Sequence, residues 1–254
     1  MLRIIHERLR QGYRTGTFPQ SEPVLSNRFR GLPKLSPDKC INGESSECAG
    51  CAERCPFRAV EFRQGRLSVD LGRCVFCADC PVCSRGALEF SNDYRLATRS
   101  REELLFSGGS LALAEQLNEE MHRLFGRSLK LRQVSAGGCN GCEADTNVLN
   151  TLVFDLGRFG IQFVASPRHA DGILITGPVS QNMRSALLDT YKAIPSPKLV
   201  IAAGACAING GPFIDGPEVF NGVDGLLPVD LYIPGCPPHP YTTLDGLLRL
   251  LGKR

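Results

Sequence analysis

The sequence has no apolar run approaching the ~18–20 residues that cross a bilayer. Its longest, residues 199–208, is interrupted by Gly204 and has the length of a strand with its following turn. The first ten residues, MLRIIHERLR, carry neither a long apolar core nor a cleavage site, which predicts a chain made and kept in the cytosol. There is no GxxxxGK phosphate loop and no GxGxxG after a strand-like run, so no nucleotide is expected. A Ser/Thr-rich phosphate turn is also missing, which speaks against flavin. Neither sign of charge dominates: 29 Lys+Arg against 26 Asp+Glu leave +3, and no nucleic-acid partner is expected. The basic surplus is local. Residues 1–39 hold eight Lys/Arg against three Asp/Glu, whereas residues 96–254 hold 14 against 15. This leading segment reads either as a solvated tail or as an arm that docks on a partner protein or an anionic membrane surface.

What the sequence does have is cysteine, twelve in 254 residues. In a reducing compartment these are metal ligands or catalytic groups rather than disulfides. They fall into three sets of four: Cys40, Cys48, Cys51, Cys55; Cys74, Cys77, Cys80, Cys83; and Cys139, Cys142, Cys206, Cys236. The first two sets belong to an internal repeat, in which CAGCAERCPFRAVEF is echoed by CVFCADCPVCSRGALEF about 26 residues later. The repeat has too few apolar side chains to fold unaided, so something bound must hold it together. One reading is zinc on Cys48, Cys51, Cys74 and Cys77, which leaves Cys40, Cys55, Cys80 and Cys83 without a role. The other is iron–sulfur.

The chain divides into a basic extended arm (residues 1–39), the cysteine repeat (40–92), a polar linker with an amphipathic helix (93–127), and a C-terminal domain (128–254). In the linker Leu113, Leu117, Met121 and Leu124 recur at helical spacing and predict a helix over 111–125. Beyond it, strands are predicted over 129–134, 161–165, 172–176, 198–203 and 229–233, with helices over 145–159, 181–193 and 241–251. Alternating β and α argue for a parallel, doubly wound α/β sheet. In such a sheet ligands bind outside the carboxyl ends of the strands. Cys139 and Cys142, Cys206, and Cys236 each follow a strand there, so they can converge although 97 residues separate the first from the last. Four convergent thiolates hold zinc or an iron–sulfur cluster. Glycines close by let backbone crowd against a bulky ligand.

The repeat resembles the bacterial two-cluster ferredoxin pattern C-x2-C-x2-C-x3-C-P. It departs from it twice: seven residues separate Cys40 from Cys48, and only two separate Cys80 from Cys83. On that family's crossing rule, Cys40, Cys48, Cys51 and Cys83 hold one 4Fe–4S cluster, and Cys74, Cys77, Cys80 and Cys55 hold the other. SAGGCNGCEAD, FVASPRHADGILITGPVSQNM, GACAINGG and YIPGCPPHPYTTLDGLL resemble the small, cluster-bearing subunit of membrane-bound nickel–iron hydrogenases of the energy-converting and formate hydrogenlyase type. They are also similar to the homologous 20-kDa-type (B) subunit of respiratory complex I. Residues 20–92 resemble the two-cluster ferredoxin subunit of the same complexes, so the chain looks like a fusion of the two.

The resemblance implies a flavodoxin-like C-terminal domain with a proximal 4Fe–4S cluster on Cys139, Cys142, Cys206 and Cys236, and a small α+β ferredoxin-like domain. Three clusters would relay electrons to or from a large nickel–iron subunit. Membrane-arm subunits, and ferredoxin or formate dehydrogenase as donor, are the further partners implied. The complex would sit on the inner face of the cell membrane. All twelve cysteines are accounted for, so the active site is expected in another chain. The two residues between Cys139 and Cys142 match hydrogenases, whereas complex I relatives have adjacent cysteines there. A quinone-reducing, complex I-like assembly without nickel is the alternative. Glu143 reads as a proton relay or as an ordinary helix-start acid. His169 and His239 read as titrating groups near a partner or as loop histidines. Arg168 and Arg184 read as partner contacts or as solvated surface, and Gly177-Pro178-Val179 as a loop that packs on the cluster.

Overall fold

The computed structural model describes residues 2–36, 52–63, 66–77, 79–80 and 86–254. Helix α1 (Leu2–Gln11) precedes strand β1 (Pro33–Leu35), and then come β2 (Val60–Arg63), β3 (Arg66–Asp70), β4 (Leu88–Phe90) and β5 (Leu105–Phe106). β1 pairs antiparallel with β4, Lys34 opposite Glu89, while β2, β3 and β5 form a separate antiparallel sheet. Helix α2 (Glu119–Phe125) leads into β6 (Leu129–Ser135), α3 (Gly141–Val148), β7 (Ile161–Phe163), β8 (Gly172–Thr176) and α4 (Gln181–Ala193). The chain continues with β9 (Leu199–Ala203), α5 (Ala205–Asn209), β10 (Leu231–Ile233) and α6 (Pro240–Leu250).

Strands β6 to β10 make one parallel sheet in the order β10-β9-β8-β6-β7. In chain order this is 2-1-3-4-5, the flavodoxin-like arrangement, and it reverses direction between β6 and β8. The central strands are buried at every position, because both faces of the sheet are covered, which is why GILIT and LVIAA read as continuous apolar runs. Ile173, Ile175, Val200 and Ala202 face a core shared with Val60, Leu67, Val69 and Leu71 of the small antiparallel unit. Leu174, Ile201 and Ala203 face the opposite core, built with Leu244, Leu247 and Leu248 of α6 and with Phe18 of the N-terminal segment. The cysteine-bearing repeat is therefore fused onto one face of the sheet. The N-terminal segment is pinned to the other.

That pinning is specific. The Gly16 N–H donates to the Val153 carbonyl at 2.8 Å, and the Arg158 guanidinium donates to the Gly16 and Phe18 carbonyls at 2.7 Å each. Tyr94 donates to Glu22 at 2.6 Å.

Two predicted helices are corrected. The helix expected over 111–125 is confined to Glu119–Phe125. Residues 111–118 form no helix: the Ala114 N–H donates to the Ala97 carbonyl and the Leu117 N–H to the Leu250 carbonyl, at 2.8 and 2.9 Å. The helix starts only where the Asn118 side chain accepts from the Met121 N–H at 2.9 Å. The helix expected over 145–159 instead starts at Gly141, just past Asn140 with its φ of 71°, and ends at Val148. A turn through Asp155, at φ 47°, leads to a separate 3-10 turn, Leu156–Phe159. The other strand and helix ends differ from expectation by no more than two residues.

Candidate functional site

The carboxyl ends of β6, β8, β9 and β10 open onto a common edge. Leaving β6, the chain turns through Gly137, Gly138 and Cys139 and enters α3 with Cys142 in its first turn. Past β9, Gly204 leads directly into α5, which carries Cys206 in its first turn. Past β10 come Gly235 and Cys236, the latter joined to Pro237 by a cis peptide. These loops enclose a cavity of about 60 Å³ lined by Cys139, Cys142, Cys206 and Cys236, together with Gly177, Glu143 and neighbouring backbone. Cys206 is buried, Cys142 and Cys236 are half-buried, and Cys139 is exposed at the rim.

Backbone crowds this cavity, and two glycines make that possible. Gly177, at φ +84°, lies so close to the Cys139 loop that a Cβ there would come 2.6 Å from the Gly138 nitrogen. Gly204 has φ +94° and ψ 155°, a region that is essentially glycine's alone. A Cβ on it would come 2.6 Å from the Cys142 sulfur.

The electrostatics of the thiols follow from this packing. Burial pushes Cys142 well above its ordinary 9.0, and Cys206, Glu143, Cys236 and Cys139 push it further. Cys206 is pushed to about 12, first by burial and then by Cys236 and Cys139. Burial also raises Cys236. Cys142, Cys206 and Cys236 resist losing their protons, and a positively charged centre between them favours their thiolates. The start of α3 adds a favourable dipole.

Glu143 is buried, 8% exposed. Burial works to raise its carboxyl, but hydrogen bonds from Ser135 and Thr176 outweigh that and hold it below 4.5. Thr176 donates to it at 2.6 Å. Glu143 thus ties the first turn of α3 to the ends of β6 and β8. Of the Gly177-Pro178-Val179 loop, Gly177 lies on the cavity wall, and Pro178 and Val179 are not among its lining.

A second gathering of thiols lies in the small unit. Cys74 is pushed to about 12 by burial, partly offset by the Phe76 N–H, and it also feels Cys80, Cys55 and Cys77. The four are the set that the ferredoxin-like crossing rule groups together. The Phe76 N–H points at the Cys74 sulfur at 3.4 Å and the Ala59 N–H at the Cys55 sulfur at 3.3 Å. Asp70 holds the approach to Cys74. It accepts from the Gly72 N–H at 2.9 Å and from Arg101 at 2.6 Å. Cys40, Cys48, Cys51 and Cys83 lie outside the described residues.

The two thiol sites are neighbours. A cleft of about 240 Å³ is lined by Phe76 from the small unit and by Cys236, Pro237 and His239 from the sheet edge. The Arg30 guanidinium donates across to the Phe76 carbonyl at 3.0 Å. Asp70, Arg101 and Arg30 were not singled out from the sequence. For Asp70 the signal was the Asp-x-Gly turn in DLGRC.

Other expected residues lie elsewhere. Arg168 and His169 are exposed on the turn after β7, and neither lines the cavity. Arg184 stacks over Phe220 at 5.3 Å. His239 caps α6: its Nδ1 accepts from the Tyr241 N–H at 3.1 Å, and burial lowers its pKa.

Residues 139–250 match the family model for the NADH ubiquinone oxidoreductase 20 Kd subunit. The chain is 48% identical over 126 residues to formate hydrogenlyase subunit 7 of Escherichia coli, covering 50% of this chain and 49% of that protein. It therefore spans about half the length of that relative. It is 40% identical over 134 residues to a probable membrane-bound hydrogenase subunit of Pyrococcus furiosus, covering 53% of this chain and 80% of that one. Among solved structures, a chain of the membrane-bound sulfane sulfur reductase, an archaeal respiratory membrane complex, is 36% identical. It matches 54% of this chain and 75% of that chain with a TM-score of 0.47. By the cysteine-bearing loops and the sheet they follow, this chain belongs to the 20 Kd subunit family of NADH ubiquinone oxidoreductase, which its membrane-bound hydrogenase relative shares.

Proposed function

We propose that this chain is the iron–sulfur electron-transfer subunit of a membrane-associated nickel–iron hydrogenase complex of the formate hydrogenlyase type. The observation that carries the reading is the convergence of Cys139, Cys142, Cys206 and Cys236 on one cavity at the carboxyl edge of the sheet. These four would hold a proximal 4Fe–4S cluster. Cys55, Cys74, Cys77 and Cys80 would hold a second. Cys40, Cys48, Cys51 and Cys83 would hold a third, on the ferredoxin-like spacing.

The sheet-edge site fits a cluster: Cys139, Cys142, Cys206 and Cys236 line one cavity, and glycines at its wall leave room for inorganic sulfur. A bound 4Fe–4S cluster supplies one-electron chemistry at a potential that its surroundings set. The chain's own residues hold it, exclude water on the buried side and aim backbone N–H groups at ligand sulfurs, as at Cys55 and Cys74.

No residue here is cast as catalytic. The reaction with hydrogen would lie in a large partner that covers the carboxyl edge, where Cys139 is exposed. Membrane-arm subunits would complete the assembly on the inner face of the membrane, with ferredoxin or formate dehydrogenase as donor. A complex I-like assembly that reduces a quinone is the second reading, favoured by the description of the matching family. Metal analysis of the complex purified anaerobically through this chain separates them. Roughly one nickel per chain supports the hydrogenase; iron without nickel moves the assignment to the quinone-type relative. A Cys206→Ser variant that keeps every cluster EPR signal unchanged overturns the proximal ligand set.

A further inference from the structure

Among the described residues, nothing buries the first helix. None of its residues is buried, and Leu2, Ile5 and Leu9 are 84%, 53% and 78% exposed. At 3.6 residues per turn, these three fall within an arc of about 60°. Arg8 borders that arc on one side and His6 on the other, with Arg10 beyond His6 and Arg3 on the polar face. Glu7, the one acidic residue of the helix, lies on the opposite face and pairs with Arg10 at 3.6 Å. Ile4 is exposed off the stripe. Just past the helix the stripe is continued by Tyr13, 85% exposed, beneath the Arg8 guanidinium at 4.6 Å. Arg14 adds a further cation.

We propose that α1 docks on an anionic lipid surface, with Leu2, Ile5 and Leu9 in the apolar boundary layer and Arg8, Arg10 and Arg14 among the headgroup phosphates. The charge pattern selects this occupant. A narrow apolar stripe with Arg8 along one edge, His6 and then Arg10 along the other, and the single acid turned away matches a plane of negative charge over hydrocarbon. Long arginine stems reach outward from a buried stripe to the phosphates. Among the described residues no helix is long and apolar enough to cross a membrane, so a helical hold of those residues on a bilayer lies within the interface. The helix carries none of the twelve cysteines, so its test is independent of what the thiols bind.

The test is flotation of the anaerobically purified chain with vesicles of phosphatidylglycerol and phosphatidylcholine, compared with phosphatidylcholine alone. The wild type is expected to float with the anionic vesicles and to be released by salt. Each Arg→Gln substitution at positions 8 and 10 is expected to weaken binding about five-fold, and Leu9→Glu to abolish it. The helix buries nothing, so these variants should keep the wild-type melting temperature. Failure of the wild type to float overturns the proposal, as does binding that neither kind of variant weakens. Absence of lipid binding together with loss of Leu9→Glu from the purified complex would assign the helix to a protein partner.

Discussion

Gly204→Ala places one methyl group against the sulfur of Cys142, a residue lining the four-thiol cavity, and the structure sets the size of its effect. The added carbon would lie 2.6 Å from the Cys142 sulfur, whereas non-bonded heavy atoms settle at roughly 3.5 Å or beyond. The sulfur or the β9–α5 turn must therefore give way by about 1 Å, close to half of a metal–sulfur bond of about 2.3 Å. The backbone adds its own cost. At φ 94° and ψ 155° an alanine is strained by about 1–3 kcal/mol. Neither burden is easily relieved, since the Gly204 N–H donates to Ile233 and the Ala205 N–H to Gly235, at 2.8 Å each. The expected outcome is a folded chain that lacks the proximal cluster and keeps its other two. EPR of the reduced complex and an iron count read this directly, with iron falling by about a third. Gly225→Ala is the control, because nothing lies within 4 Å of a Cβ there. A Gly204→Ala protein with full iron and an unshifted proximal signal would refute the crowding argument.

Asp70→Ala removes the partner of Arg101, a pair with side chains only 6% and 18% exposed. Breaking such a pair costs roughly 3–5 kcal/mol; a lowered melting temperature and early loss of the Cys74-site EPR signal are expected, and an unchanged melting curve would contradict this. Arg158→Ala frees the carbonyls of Gly16 and Phe18, so limited proteolysis should cut between residues 13 and 30 while cluster signals persist. His239 is held neutral by burial, below its ordinary 6.5. With its folded pKa depressed, its contribution is full above about pH 6.5 and lost as pH falls through the folded value. The wild type should therefore lose stability on acidification more steeply than His239→Gln, and parallel curves would contradict the capping role. Cys83→Ala should cost one ferredoxin-type cluster, and unchanged EPR signals would show that the shortened gap breaks the crossing rule.

The sheet was legible because its strands obey a simple constraint. Buried on both faces, Ile173, Leu174 and Ile175 need no alternation, and the glycine that follows each ligand-bearing strand marks where the chain turns over the edge. Cys206 and Cys236 were readable as partners of the CxxC pair for the same reason. The linker helix is shorter than its spacing suggests because Leu113 and Leu117 satisfy helical spacing although the Ala114 and Leu117 N–H groups bond to Ala97 and Leu250 instead of within a helix. Nothing local records such distant partners, although Asn118 before two glutamates did mark the true start. The early beginning of α3 was hidden because Gly141 is a poor helix former, and only the left-handed Asn140 turns the chain into it. The packing of Phe18 and Arg254 across the N-terminal segment joins residues more than two hundred positions apart, and pattern reading has no access to it.

The iron and acid-labile sulfide content of the complex isolated anaerobically through this chain, read with zinc in the same sample, decides between clusters and zinc. Three 4Fe–4S clusters predict about twelve irons and as many sulfides from this chain, with no stoichiometric zinc in it. Zinc in place of iron, at about one ion per four cysteines, would contradict the electron-transfer reading outright.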